Sequence, residues 1–192
     1  MASTRVERRQ ERTREAIKAA VIALASERDF QDVGLEDVAA RADVARGTIY
    51  NLYSRRENLI ADVVGPLMRE MARKTEGLVA AGPVPLCGLL SILAEAWETD
   101  GGTLGLMLRL RGEAMGGIEA DHKRLTEAFF AAFASLREGR RLRAGTPRDA
   151  AVLLFRVTVP ALDAFDPGHG PGRNAFLAAM RGFLLKDPGN PA

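Results

Sequence analysis

Apolar side chains recur along this chain at three- and four-residue intervals, and no stretch alternates as a half-buried strand does. Leu35, Val38, Ala39 and Ala42 fall at i, i+3, i+4 and i+7, one stripe of a short helix. Asp43-Val44-Ala45 interrupts the stripe, and Ile49, Leu52 and Tyr53 face inward from a second short helix. Two short helices across a turn of about three or four residues are the helix-turn-helix plan. Val44 supplies the apolar plug of such a turn, and Ala39 is small enough for close approach. Asp43 stands where the chain needs a left-handed residue, a region Asp tolerates better than most side chains.

The same periodicity predicts the other elements. Ala16, Ile17, Ala20, Val21 and Leu24 stripe a first helix, whose start near Arg5 carries a Thr4/Glu7 capping box. A long helix runs from Glu57 to near Ala80, with Gly65-Pro66 expected to kink it or delay its start. Gly82-Pro83-Val84-Pro85 breaks the chain. Leu86–Glu98 and Thr103–Met115 are helices on either side of an Asp100-Gly101-Gly102 turn, and a long amphipathic helix spans Ile118 to about Arg143. Thr146-Pro147 opens a further helix with a hydroxyl cap and Pro at its first position. The last helix covers roughly Arg173–Lys186, after a Gly/Pro-rich loop. The fold class is all-α, with about nine helices.

Composition narrows the class. The chain has 192 residues, 47% hydrophobic and 27% charged, which suits a globular protein with a real core. The formal net charge is only +2. Arg5, Arg8, Arg9, Arg12 and Arg14 nevertheless crowd the first helix, which reads either as a solvated face or as a basic arm on nucleic acid. A single cysteine, Cys87, allows no internal disulfide and fits a reducing cytoplasm. The charged start shows no signal sequence, and no apolar run is long enough for a membrane span.

No enzyme constellation is present. Gly101-Gly102-Thr103-Leu104-Gly105 follows a helix rather than a strand, against a phosphate loop. His122 and His169 lack partners at metal-ligand spacing, so neither a metal nor a cofactor is expected. The binding candidates are instead the outward residues at the front of the second short helix: Ala45, Arg46, Thr48 and Asn51 for base edges, and Tyr50 for a phosphate. Arg can read guanine through two hydrogen bonds, and Thr and Asn reach bases or phosphates. In the C-terminal two thirds, Trp97, Met107, Phe129, Phe133 and Phe155 are either plain core or the lining of an apolar cavity. The last two helices carry broad apolar faces, with Val152, Phe155, Val159, Phe176, Met180 and Phe183 as candidates for a dimer interface.

Ile17-Lys18-Ala19-Ala20, Phe30, Gly47-Thr48-Ile49-Tyr50-Asn51-Leu52-Tyr53 and Ser54-Arg55-Arg56-Glu57-Asn58-Leu59 together resemble the TetR family of transcriptional regulators. The resemblance covers about the first third of the chain. It departs from the family at Asp43, where Gly is usual, at Ala45, where Ser or Thr is usual, and at Gly34, Tyr53 and Arg56. It implies a three-helix DNA-binding head over residues 1–56 and a helical ligand-binding and dimerisation domain over 57–192. It adds Tyr53 and Arg56 to the backbone-contacting positions, although Tyr53 reads better as core. It also implies a cytoplasmic homodimeric repressor released from a palindromic operator by a small-molecule effector acting through the long fourth helix. Two rivals stay open: an effector-independent regulator with a solid dimer core, and an all-α enzyme or carrier with a vestigial head.

Overall fold

The computed structural model describes residues 5–110, 116–165 and 171–186, and these are all-helical apart from two isolated bridge pairs. The helices are α1 (Arg5–Glu27), α2 (Leu35–Arg41), α3 (Arg46–Leu52), α4 (Arg56–Ala80), α5 (Leu86–Arg109), α6 (Glu119–Ala134), α7 (Pro147–Phe165) and α8 (Pro171–Leu184), with 3-10 turns at Phe30–Asp32 and Gly139–Arg141. The chain forms two compact units. One holds the stretch up to Gly65 together with the described residues between Arg109 and Ile118. The other holds Pro66–Leu108 and the described residues from Glu119 onward. No described helix is long and apolar enough to cross a membrane.

In the first unit the apolar stripes become the core. Ile17, Ala20, Val21 and Leu24 of α1 are buried, as are Leu35, Val38 and Ala39 of α2 and Ile49 of α3. The start of α2 is set by Asp37, whose carboxylate accepts the Gly34 N–H at 2.9 Å. Its end is set by the turn. The Ala42 N–H still donates to Val38 O at 2.9 Å, then Asp43 takes a left-handed conformation with φ 52° and the Val44 N–H turns back to Ala39 O at 3.0 Å. That reversal swings the chain into α3, with four residues between Arg41 and Arg46. The Thr4 cap expected for α1 lies outside the described residues.

In the second unit the expected break near Gly101 is a kink within one continuous element. Asp100 has a non-helical φ of −156° and ψ of 61°, and its carboxylate accepts the Thr103 N–H at 3.2 Å, capping the helix that resumes there. That helix ends at Arg109, short of the Met115 its pattern predicts, with Leu110 already non-helical and 111–115 outside the described residues. α4 starts at Arg56 without delay and continues through Pro66.

α6 is shorter than its pattern predicts, ending at Ala134 rather than near Arg143. The cause is a partner distant in sequence. Val84, in the Pro-rich break, gives its N–H to Ser135 O at 2.8 Å and takes the Arg137 N–H at 3.0 Å, a bridge that pulls residues 135–137 out of helical geometry. A second bridge pairs Leu142 with Leu185 and closes the end of α8. Thr146 caps α7 as expected, accepting the Asp149 N–H at 3.1 Å while its hydroxyl meets the Asp149 carboxylate at 2.6 Å.

Candidate nucleic-acid interface

α3 separates its inward and outward residues cleanly. Ile49 is fully buried, Leu52 is half-buried and Tyr53 is 6% exposed. Arg46, Gly47, Tyr50 and Asn51 are exposed on the other side, and Thr48 is half-buried. Ala45 is the exposed N-cap residue, with φ −61° and ψ 143° and no side-chain cap bond, so the hydroxyl that Ser or Thr would bring is missing. The base-edge candidates therefore lie within about two helical turns, at the front of a helix such as enters a major groove.

Tyr53 is core, and more than core. Its hydroxyl donates to the Asp62 carboxylate at 2.5 Å, pinning the end of α3 to the first turns of α4. Burial pushes the Tyr53 phenol well above its ordinary range, the bond to Asp62 adds to the rise, and Arg14 of α1 opposes it. The Tyr53 hydroxyl therefore stays a donor at physiological pH.

Acidic side chains that the sequence pattern did not single out organise the polar surface. Glu36 of α2 pairs with Arg46 and accepts the Tyr50 hydroxyl at 3.4 Å. Glu27, at the end of α1, takes a two-point contact from the Arg41 guanidinium at 2.8 and 2.5 Å. That hydrogen-bonded contact holds the Glu27 carboxyl below its usual range. The Gly34 N–H does the same for Asp37, helped by Arg28 at 3.1 Å. The one available signal for Glu36 is its place in the first turn of α2, since its partners lie across the turn.

Arg56, matched by resemblance to a backbone-contacting position, is half-buried and busy within the head. One terminal nitrogen donates to Gln31 O at 2.7 Å and Val33 O at 3.4 Å, and the other to Gln31 Oε1 at 3.3 Å. It ties the loop before α2 to the start of α4.

In the second unit, Phe129 and Phe133 are fully buried, Met107 is 5% exposed, and Trp97 and Phe155 are half-buried. Of these, Phe129 and Phe155 meet as a tilted ring pair with centroids 4.8 Å apart. Trp97 packs on its own helix: a Cβ added at Gly101 would fall 3.1 Å from the indole Cδ2, close enough that the ring would have to shift. His122 is exposed, and the described residues contain no group of three His, Cys, Asp or Glu that could hold a metal.

Within the single chain, the residues expected at a dimer face divide into inward and outward sets. Phe176 and Met180 are 0% and 3% exposed within the single chain. With Leu184, they make the i, i+4, i+8 stripe that binds α8 to its own core. The outward apolar residues are Val152 at 41% and Leu153 at 40% on α7, and Phe183 at 44% on α8. Phe155 is half-buried, and the Val159 side chain lies outside the described residues. A broad apolar circumference has two sides, and periodicity alone did not say which one the chain itself would use.

Residues 17–63 match the family model for bacterial regulatory proteins of the tetR family. Among curated proteins, the chain is 34% identical over 76 residues to the HTH-type transcriptional repressor KstR of Mycolicibacterium smegmatis, a match covering 40% of this chain and 37% of that protein. It is 37% identical over 79 residues to an uncharacterised HTH-type transcriptional regulator of Mycobacterium bovis, covering 41% of this chain and 36% of the relative. The matched stretch thus spans little more than a third of each curated relative.

Among solved structures, the SmeT–triclosan complex aligns with a TM-score of 0.60 and 20% identity over 92% of this chain and 93% of that one. NalD, the secondary repressor of the MexAB-OprM multidrug efflux pump in Pseudomonas aeruginosa, aligns with a TM-score of 0.58 and 21% identity over 94% and 99%. At these identities the likeness extends to the fold.

Proposed function

We propose that this chain, whose head over residues 17–63 belongs to the TetR family of bacterial regulatory proteins, is a dimeric DNA-binding transcriptional repressor that a small effector releases from its operator. The observation that carries the reading is α3: one face is locked into the head by Ile49 and Tyr53, and the opposite face offers Arg46, Tyr50 and Asn51 to solvent. In this reading Arg46, Thr48 and Asn51 read base edges while Ala45 makes close apolar contact. Tyr50 and the arginines of α1 meet phosphates, and Arg56 supports the head from behind.

Dimerisation falls to α7 and α8 through Val152, Leu153 and Phe183, an exposed apolar set that a partner copy would cover. In this reading the effector binds among the helices of the second unit, with Trp97, Met107 and Phe155 as candidate lining residues. The buried Thr103 hydroxyl of the same unit has no hydrogen-bond partner among the described residues, and in this reading it is the polar fixing point for an otherwise apolar ligand. α4 runs from the head into the second unit, so it is the covalent route by which ligand state would reach DNA affinity. Full burial of Phe129 and Phe133 favours the second reading, a solid core with no effector.

The test is selection of bound fragments from sheared genomic DNA by the full chain. The expected result is a shared inverted repeat, with half-sites spaced by about one helical turn or a multiple of it. Recovery of fragments with no shared sequence would reject the reading.

A further inference from the structure

We propose that Glu36, in the first turn of α2, sets the sequence selectivity of the head by tethering Arg46 and keeping it off the DNA backbone. This rests on the DNA-binding reading above. One oxygen of the Glu36 carboxylate serves two partners: the Arg46 guanidinium and, at 3.4 Å, the Tyr50 hydroxyl. Those partners sit one turn apart on the exposed face of α3, so three side chains form a single cluster joining the two helices of the motif. The cluster holds up little of the fold. The Arg46 and Glu36 side chains are 68% and 56% exposed, and ion pairs that open to solvent add little to stability.

Its placement is what matters. A carboxylate on a face that meets phosphates repels every DNA sequence alike, so it lowers affinity wherever nothing compensates. A free arginine on the same face pairs with the nearest phosphate and gains affinity without information. Tethered to Glu36, the Arg46 guanidinium has part of its donor set occupied and its reach restricted. The donors that remain suit the paired acceptors of guanine. The pair thus exchanges general affinity for discrimination.

The experiment compares full-length wild type with Glu36→Gln. Each is titrated by fluorescence anisotropy against the duplex recovered by selection and against a scrambled duplex of equal length, over a series of KCl concentrations. For Glu36→Gln, binding to the scrambled duplex should tighten about three- to tenfold, and its log–log salt slope should steepen by about 0.9 as the released arginine takes one more phosphate. Binding to the selected duplex should tighten less than that, so the discrimination ratio falls. In an Arg46→Ala background the Gln substitution should leave that ratio where it is. Glu36→Asp loses reach but keeps the charge, so its discrimination ratio should fall as in Glu36→Gln while its binding to the scrambled duplex tightens less.

Equal weakening on both duplexes, an unchanged ratio, or wild-type behaviour of Glu36→Asp would overturn the tether. A wild type that discriminates while the Gln variant does so equally well removes only the role of Glu36. A wild type with no salt-dependent binding to either duplex removes the DNA-binding reading as well.

Discussion

Replacing Arg56 by Ala separates two jobs that one arginine can do at the edge of a DNA-binding head. Among the bonds that hold the guanidinium, that to Gln31 O is short at 2.7 Å, and those to Val33 O at 3.4 Å and Gln31 Oε1 at 3.3 Å are long. A hydrogen bond from a charged donor contributes about 1.5–3 kcal/mol when well buried. Here the side chain is only half-buried and Gln31 is exposed, so the lost tie should cost about 1–2 kcal/mol.

The cost should be local to the loop before α2 and to the helices it positions. Hydrogen exchange followed by mass spectrometry reads it directly: amides of residues 31–53 should open about 5- to 30-fold more often, the factor that 1–2 kcal/mol corresponds to. Amides of α6 to α8 should exchange as in the wild type. The salt slope of DNA binding should stay within half a counterion of wild type, because the donors are spent inside the head. A slope lower by about 0.9 with unchanged exchange would refute this, and would make Arg56 a phosphate contact.

Asp43→Gly should stabilise the head by about 0.5–1 kcal/mol with DNA affinity retained, because φ 52° costs Asp what it does not cost Gly; head-amide exchange checks it. Asp43→Val should destabilise the head, since a β-branched side chain resists that conformation. On acidification, head stability should hold above the ordinary carboxylate values of 4.5 for Glu27 and 3.8 for Asp37. It should fall as pH drops through their lowered folded-state values, because protonation breaks the contacts with Arg41 and with the Gly34 N–H. Glu27→Gln should flatten that dependence in acid-unfolding curves. Phe183→Glu should yield a folded chain that sediments as a monomer, whereas Met180→Glu should unfold the second unit, because Phe183 is 44% and Met180 3% exposed. Folding of both variants with equal dimer loss would contradict the inward and outward assignment of α8.

Much of the head was legible because its signals are local. A stripe at i, i+3, i+4 and i+7, a polar break at Asp43, and a second stripe ending at Tyr53 specify two helices and the hand of the turn between them. The Thr146 cap and the break at Asp100 were legible for the same reason. The end of α6 was not: Ala134 and Ser135 carry no stop signal, and the helix yields there to a bridge from Val84 across a long sequence separation. The Glu36 cluster was hidden likewise, because its members meet only once α2 and α3 cross at the angle the turn imposes. Phe176 and Met180 could be read as apolar but not as facing their own chain, since core and interface share one chemistry.

The central claim is that the exposed face of α3 reads DNA sequence. Its most direct test is the affinity of the full chain for the selected duplex relative to a scrambled one, measured across KCl concentration, with Tyr50→Phe and Arg46→Ala beside the wild type. The account predicts that the wild type prefers the selected duplex by about a thousandfold or more, with affinity falling steeply as salt rises. Arg46→Ala should erode that preference at one base position by about 1–3 kcal/mol, while Tyr50→Phe weakens both duplexes alike. Equal affinity of the wild type for the two duplexes, or binding indifferent to salt, would contradict it.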